Sequence, residues 1–181
     1  GSSVMYHTAL KLREAQEFIQ AFHRHSPPLK RHMFSIGVSD HAGWSGKLLG
    51  VATVDRCSSA WSKRYDHVEL RRLCIRPDAR KNTASFLIGK VKDACFAMGY
   101  RVIVTYTKPH ENGASLKASG FWLQKARWVK GKPEHDRGLL QWVAVRDRQP
   151  DAEERAWTKE TMAQISMDIC ASNTPTSTQN K

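Results

Sequence analysis

The sequence predicts a mixed α/β (α+β) domain in which helices flank a sheet made largely of antiparallel pairs. Strand-like runs recur at 33–39, 47–55, 67–76, 101–107, 121–129 and 139–146. One long segment, 83–98, places Ala84, Leu87, Ile88, Val91, Ala94, Cys95 and Met98 on a single helical face. The run at 67–76 breaks its own alternation. At 181 residues the chain suits one domain with an appendage.

Residues 1–7 read as an N-terminal arm: Gly1-Ser2 has the look of a cloning remnant, and no basic segment leads into an apolar leader. Leu12, Ala15, Phe18, Ile19 and Phe22 predict a helix over about 9–24, stopped by Ser26-Pro27-Pro28. The runs at 33–39 and 47–55 flank the turn-rich link 40–46 and form a hairpin. Gly99 stops the long helix, and a short helix ends at Gly120. The last two strands form a pair. The main domain is thus 8–149. A helical appendage, 150–171, follows Pro150 with Trp157 expected to dock it, and 172–181 has the composition of a disordered tail.

In the strand at 67–76, Val68 and Leu70 point to one face, whereas Leu73 and Ile75 would alternate to the other. A β-bulge near Arg71-Arg72 restores the register and frees backbone groups for an extended ligand. A strand buried on both faces is the alternative.

Apolar residues make up 40% of the chain, mean hydropathy is −0.55, and no apolar run reaches bilayer-spanning length, which argues against a membrane protein. Cys57, Cys74, Cys95 and Cys170 lack C-x-x-C spacing and suit reduced, buried thiols in a cytosol. His23-x-His25 has no spaced partner pair, so no metal site is expected. The net charge is +12 and the pI about 9.8. Residues 151–181 carry three basic and five acidic side chains, which leaves +14 on the first 150 residues. That balance suits a protein that meets phosphate, or a surface that serves solubility alone.

The segment Arg76-Pro77-Asp78-Ala79-Arg80-Lys81-Asn82-Thr83-Ala84-Ser85 joins the irregular strand to the long helix. Free N–H groups and the positive dipole end favour an anion there, with Arg80 and Lys81 adding charge. Asn82 or Thr83 as a plain helix cap is the alternative.

This order of elements resembles the GNAT superfamily of coenzyme A-dependent N-acyltransferases over about residues 8–146. More narrowly, Glu69-Leu70-x-Arg72-Leu73, Lys81-Asn82-x-Ala84-Ser85, Thr105-Tyr106-Thr107 and Glu111-x-Gly113-x-Ser115-Leu116-x-Ala118-x-Gly120-Phe121 resemble a phage and prophage family related to the Mom DNA-modification proteins. The resemblance implies a GNAT-like, mostly antiparallel twisted sheet whose bulged central strand is splayed from its neighbour. It implies acetyl-CoA or another acyl-CoA as donor. Pantetheine would lie along Leu73, Cys74 and Ile75, and pyrophosphate on Arg80, Lys81, Asn82, Thr83, Ala84 and Ser85. The superfamily's Arg/Gln-x-x-Gly-x-Gly/Ala loop is absent, and Asn82-Thr83-Ala84-Ser85 replaces its glycines.

The resemblance further implies Glu69 as general base and Tyr106 as an acid or base-contacting phenol, with Glu111 and Ser115 matching the narrower family. The aspartate those proteins carry near 106–108 is missing. An ion pair for Glu69, a strand aromatic for Tyr106 and a dipole-favoured acid for Glu111 are the structural alternatives. The narrower resemblance implies modification of adenine N6 in double-stranded DNA, with a flipped base, in the cytoplasm of a bacterial host. His23, Arg24, His25, Lys30, Arg31, Trp61, Lys63, Arg64, Tyr65 and Arg72 interleave cations with aromatics as nucleic-acid contact requires. A second such loop holds Trp128, Lys130, Lys132, His135 and Arg137. Two rivals remain: an N-acetyltransferase of a small amine or peptide, and a non-catalytic GNAT-like nucleic-acid binder. Oligomeric state, a dimer included, stays open.

Overall fold

Alternating apolar strands can bury both faces only if helices cover them, and a computed structural model shows how the chain does so. It describes residues 4–23, 26–41, 47–59, 64–128 and 138–172. The elements are β1 (Tyr6–Leu10), α1 (Leu12–Phe22), β2 (Phe34–Ser39), β3 (Leu48–Asp55), β4 (His67–Ile75), α2 (Thr83–Ala97), β5 (Val102–Thr107), α3 (Ala114–Ala118), β6 (Trp122–Trp128), β7 (Gly138–Val145) and α4 (Ala152–Ser172). The seven strands form one sheet in the order β1-β2-β3-β4-β5-β7-β6. Every pairing is antiparallel except β4 with β5.

One face of the sheet packs Val54, Val68, Leu70, Ile103 and Trp142 against Leu87, Ile88, Val91 and Cys95 of α2 and Ile165 of α4. On the other face, Val51 and Cys74 pack against Ala15, Phe18 and Ile19 of α1. Farther along that second face, Cys57, Val104, Trp122 and Val143 form a third cluster. Among the described residues no helix is long and apolar enough to cross a membrane.

Two sequence expectations need correction. The first helix starts at Leu12, not 9, because Tyr6–Leu10 is a strand paired with β2. This edge strand buries only Leu10, so its alternation is nearly silent in sequence. Trp157, in turn, is not the main anchor of the appendage: it is 41% exposed, beside Trp122 and Val143 of the sheet, while Ile165 is fully buried. The Thr158 hydroxyl accepts the Leu123 N–H (3.1 Å), fastening α4 to β6. Asp151 and Glu154 cap the helix reciprocally, each side chain accepting the other's backbone N–H.

Candidate functional site

The expected bulge lies where the parity break put it. Thr53 of β3 pairs with Arg72, but the next residue, Val54, pairs with Leu70, so Arg71 is the extra residue. Its insertion turns Leu73 and Ile75 to the same core as Val68 and Leu70. Glu69 and Cys74 are nevertheless buried on the opposite face, so the strand is covered on both sides as well as bulged.

Beyond the bulge, β4 and β5 part. Their parallel pairing covers only His67–Val102, Val68–Ile103 and Glu69–Val104. After that β4 stays with β3, while Thr105, Tyr106 and Thr107 stay with β7. The Thr105 hydroxyl donates to the Leu70 carbonyl (2.9 Å) at the apex. A wedge therefore opens between residues 71–75 and 105–107. The β4 backbone groups facing it have no strand partner on that side among the described residues, which gives an extended ligand a ladder to join.

The open end of the wedge leads to the N-terminus of α2. Asp78 accepts from Arg76 Nε (2.9 Å) and from Lys47 Nζ (3.0 Å), and these cations hold its carboxyl well below the usual carboxylate range. Asn82 precedes the helix with φ +71°, and its side chain makes no capping bond. That left-handed conformation is the one glycine adopts without strain and asparagine tolerates better than most residues. The Thr83 hydroxyl donates to the Arg80 carbonyl (2.7 Å). In the first turn of α2 the Thr83 N–H donates to the Arg80 carbonyl (3.3 Å) and the Phe86 N–H to the Asn82 carbonyl (2.9 Å), so the N–H groups of Ala84 and Ser85 are the ones a helix start leaves without an intrahelical partner.

A strip of polar side chains crosses the face opposite α2. Thr53, Asp55, Glu69 and Gln141 are all buried there. Glu69 Oε1 accepts from the Ser58 N–H (3.2 Å) and hydroxyl (3.1 Å), and Arg71 Nε stands 3.4 Å from its other oxygen. Asp55, the cross-strand partner of Glu69, faces Arg31 Nε at 3.6 Å. On the far side of the wedge, Gln141 Nε2 donates to the Tyr106 hydroxyl (3.1 Å).

No protein-family model matches the chain. No curated protein matches it either. Solved structures do. The ribosomal-protein-S18-alanine N-acetyltransferase from Escherichia coli superposes with a TM-score of 0.58 at 14% identity, covering 82% of this chain and 98% of that one. Spermidine N-acetyltransferase from Vibrio cholerae, solved with CoA and spermine, gives 0.57 at 15%, covering 80% and 96%. A Bacillus subtilis acetyltransferase in complex with CoA gives 0.57 at 11%, covering 78% and 97%. The fold is that of the GNAT acetyltransferases.

Within this GNAT fold the expected site residues divide. Leu73, Cys74 and Ile75 form the β4 side of the wedge, with Leu73 and Ile75 against the α2 core and Cys74 against α1. Arg80, Lys81, Asn82, Thr83, Ala84 and Ser85 stand at its open end, but Arg80 Nη2 donates to the Val4 carbonyl (2.7 Å). Glu69 and Tyr106 share the polar face. Glu111 and Ser115 do not join them. Glu111 is exposed in the turn after β5, and Ser115 lies in α3, which packs toward α2 through Leu116. Gly113 caps α3 with φ +64°, and a Cβ there would come within 2.4 Å of the Trp142 ring. The glycine in that motif therefore has a packing reason.

Of the expected nucleic-acid contacts, His23, Lys30, Arg31, Arg64 and Tyr65 are exposed. Arg72 is half-buried and donates to the carbonyls of Pro27 (3.1 Å) and Arg71 (3.0 Å). Burial, with Arg71 beside it, pulls its guanidinium below the usual value. Arg24, His25, Trp61 and Lys63 lie outside the described residues, as do Lys130, Lys132, His135 and Arg137. Trp128 donates to Asp168 of α4 (3.1 Å). Sequence reasoning missed Thr53, Asp55, Ser58 and Gln141. The available signal was Val51-Ala52-Thr53-Val54-Asp55, where polar residues alternate inside an otherwise apolar strand.

Proposed function

We propose that this chain is an acyl-CoA-dependent N-acyltransferase acting on an amine. The observation that carries the reading is the wedge: a bulged β4, parted from β5, whose open end meets the N-terminus of α2. The left-handed Asn82 supports it, since it meets without glycine the backbone demand of the missing glycine loop. The two comparison structures solved with CoA support it as well.

An acyl-CoA bound here supplies a thioester carbon to the acceptor nitrogen. The chain's own residues do the rest. Backbone groups of Leu73, Cys74 and Ile75 hold the donor's extended arm, and the first turn of α2 holds its phosphates with Lys81. Glu69, kept in place by Ser58, takes the proton the nitrogen loses, directly or through water. Tyr106, across the wedge, is the acid that protonates the departing sulfur.

The acceptor's identity has two readings. A small amine or peptide N-terminus fits the buried carboxylates of the polar face. Adenine N6 in DNA, the Mom-like reading, is favoured by the +14 on the first 150 residues. Calorimetry with acetyl-CoA tests the core of the proposal: binding that weakens when both Arg80 and Lys81 become Ala supports it, and no heat from the wild type removes it. Mass spectrometry of nucleosides from cells expressing the wild type or Tyr106→Phe then separates the readings. A new deoxyadenosine-derived mass with the wild type alone selects DNA, whereas unmodified nucleosides select the small amine or peptide.

A further inference from the structure

The two buried carboxylates of the polar face are not equivalent. Glu69 is satisfied: it accepts two bonds from Ser58 and faces Arg71. Asp55 is not. Its side chain is 8% exposed, and its Arg31 neighbour, at 3.6 Å, is 79% exposed. Oδ2 is buried and accepts no hydrogen bond. Two residues earlier on the same face, Thr53 is fully buried, and its hydroxyl also lacks a partner. Buried polar atoms are seldom left so, because each has given up water for nothing. Two of them side by side ask for a group with several N–H donors that arrives from outside. Asp55 is one strand, about 4.8 Å, from Glu69, and Glu69 sits at the last paired position before the wedge opens.

Charge narrows the class further. Asp55 and Glu69 are surrounded by Arg31, Arg71 and Arg72, so the cluster carries one positive charge in excess. A plain cationic amine would double that excess in a partly desolvated place. An amine that carries its own anion brings no net positive charge and so adds nothing to that excess. Arg31, with an exposed side chain that meets Asp55 at 3.6 Å and no closer, is the cation placed to turn to that anion.

We infer that Asp55 and Thr53 receive the acceptor's amino group, and that the acceptor bears an anionic group, phosphate or carboxylate, which Arg31 engages. The inference rests on the N-acyltransferase reading and adds to it a substrate class and three residues. Asp55 binds, and Glu69 alone is left to take the proton.

The test is calorimetric titration of ethanolamine, phosphoethanolamine and β-alanine into the full chain, with acetyl-CoA titrated into the same preparations. The anionic amines are expected to bind at least tenfold more tightly than ethanolamine, and whichever of the two binds better tells phosphate from carboxylate. Asp55→Asn, nearly isosteric, should weaken the anionic amines tenfold or more while leaving acetyl-CoA affinity unchanged. Arg31→Ala, at an exposed position, should bring phosphoethanolamine and β-alanine down to the level of ethanolamine. In turnover, Asp55→Asn should raise KM by at least tenfold and change kcat by less than threefold. Equal affinity for all three amines, no amine binding, or an Asp55→Asn variant with unaltered amine affinity overturns the inference. If those results come with intact acetyl-CoA binding, the acyltransferase reading stands. A wild type that binds no acetyl-CoA overturns the reading itself.

Discussion

Asp55 and Glu69 stand directly opposite each other on β3 and β4, both buried, yet each faces a different arginine: Arg31 for the first and Arg71 for the second. Two carboxylates at neighbouring cross-strand positions repel unless each has its own cation. The bulge makes this possible by adding Arg71 to the strand beside Glu69.

Glu69→Gln is expected to lower kcat by about 10²- to 10⁴-fold, the usual contribution of a positioned base. The amide can still accept from Ser58, so acetyl-CoA affinity should stay within about twofold of the wild type on the strength of the unchanged β4 backbone. Steady-state kinetics beside calorimetry check this. A parallel loss of donor binding would assign Glu69 a structural role.

Asn82→Gly should fold and bind acetyl-CoA at least as well as the wild type, because the residue sits at φ +71° and its side chain caps nothing. Asn82→Val should cost about 1–2 kcal/mol, the strain of a β-branched residue in that region. Urea denaturation of the two variants should therefore bracket the parent.

Burial pushes the thiols of Cys57 and Cys74 up to about 11 and that of Cys95 up to about 12. At pH 8 a thiol reagent should modify one cysteine of the native chain, the exposed Cys170, and all four after denaturation. The folded values lie above the unfolded value of about 8.5. The stabilisation is therefore complete below that pH and is lost as pH rises toward 11 and 12. Thermal melts from pH 7.5 to 10.5 should show a falling midpoint, less steep in Cys95→Ala.

Asp78 runs in the opposite sense. Its carboxyl is held low by Arg76 and Lys47, so its contribution is present above the unfolded value of about 3.9 and disappears as pH falls. In Asp78→Asn the melting temperature should drop less between pH 6 and pH 3 than in the wild type.

The bulge was legible because Val68 and Leu70 could not share a face with Leu73 and Ile75 without an extra residue. The α2 helix was legible because its apolar positions repeat over four turns. β1 was not, since an edge strand that buries one residue carries almost no pattern. Asp55 was legible in part: its alternation with Thr53 put two polar residues on one face of a strand, but only the sheet shows that this face is buried opposite Glu69. The separation of Glu111 and Ser115 from Glu69 is a matter of where the chain passes after β5, and local spacing does not report which side of a sheet a helix will take.

The parallel pairing of β4 with β5 spans three residues on each strand, and it is the single seam between two antiparallel blocks, β1 to β4 and β5 with β7 and β6. Each block has its own continuous ladder, so the sheet is mechanically two plates stitched along a short edge and backed by α2. Such a joint yields before either plate does. A strand-shaped ligand in the wedge lengthens the stitching, and amide exchange at Val68, Glu69, Ile103 and Val104 should slow on its arrival while the outer strands exchange as before. Occupancy of this site would then be felt as stiffness of the hinge between the two plates, with each plate left as it was.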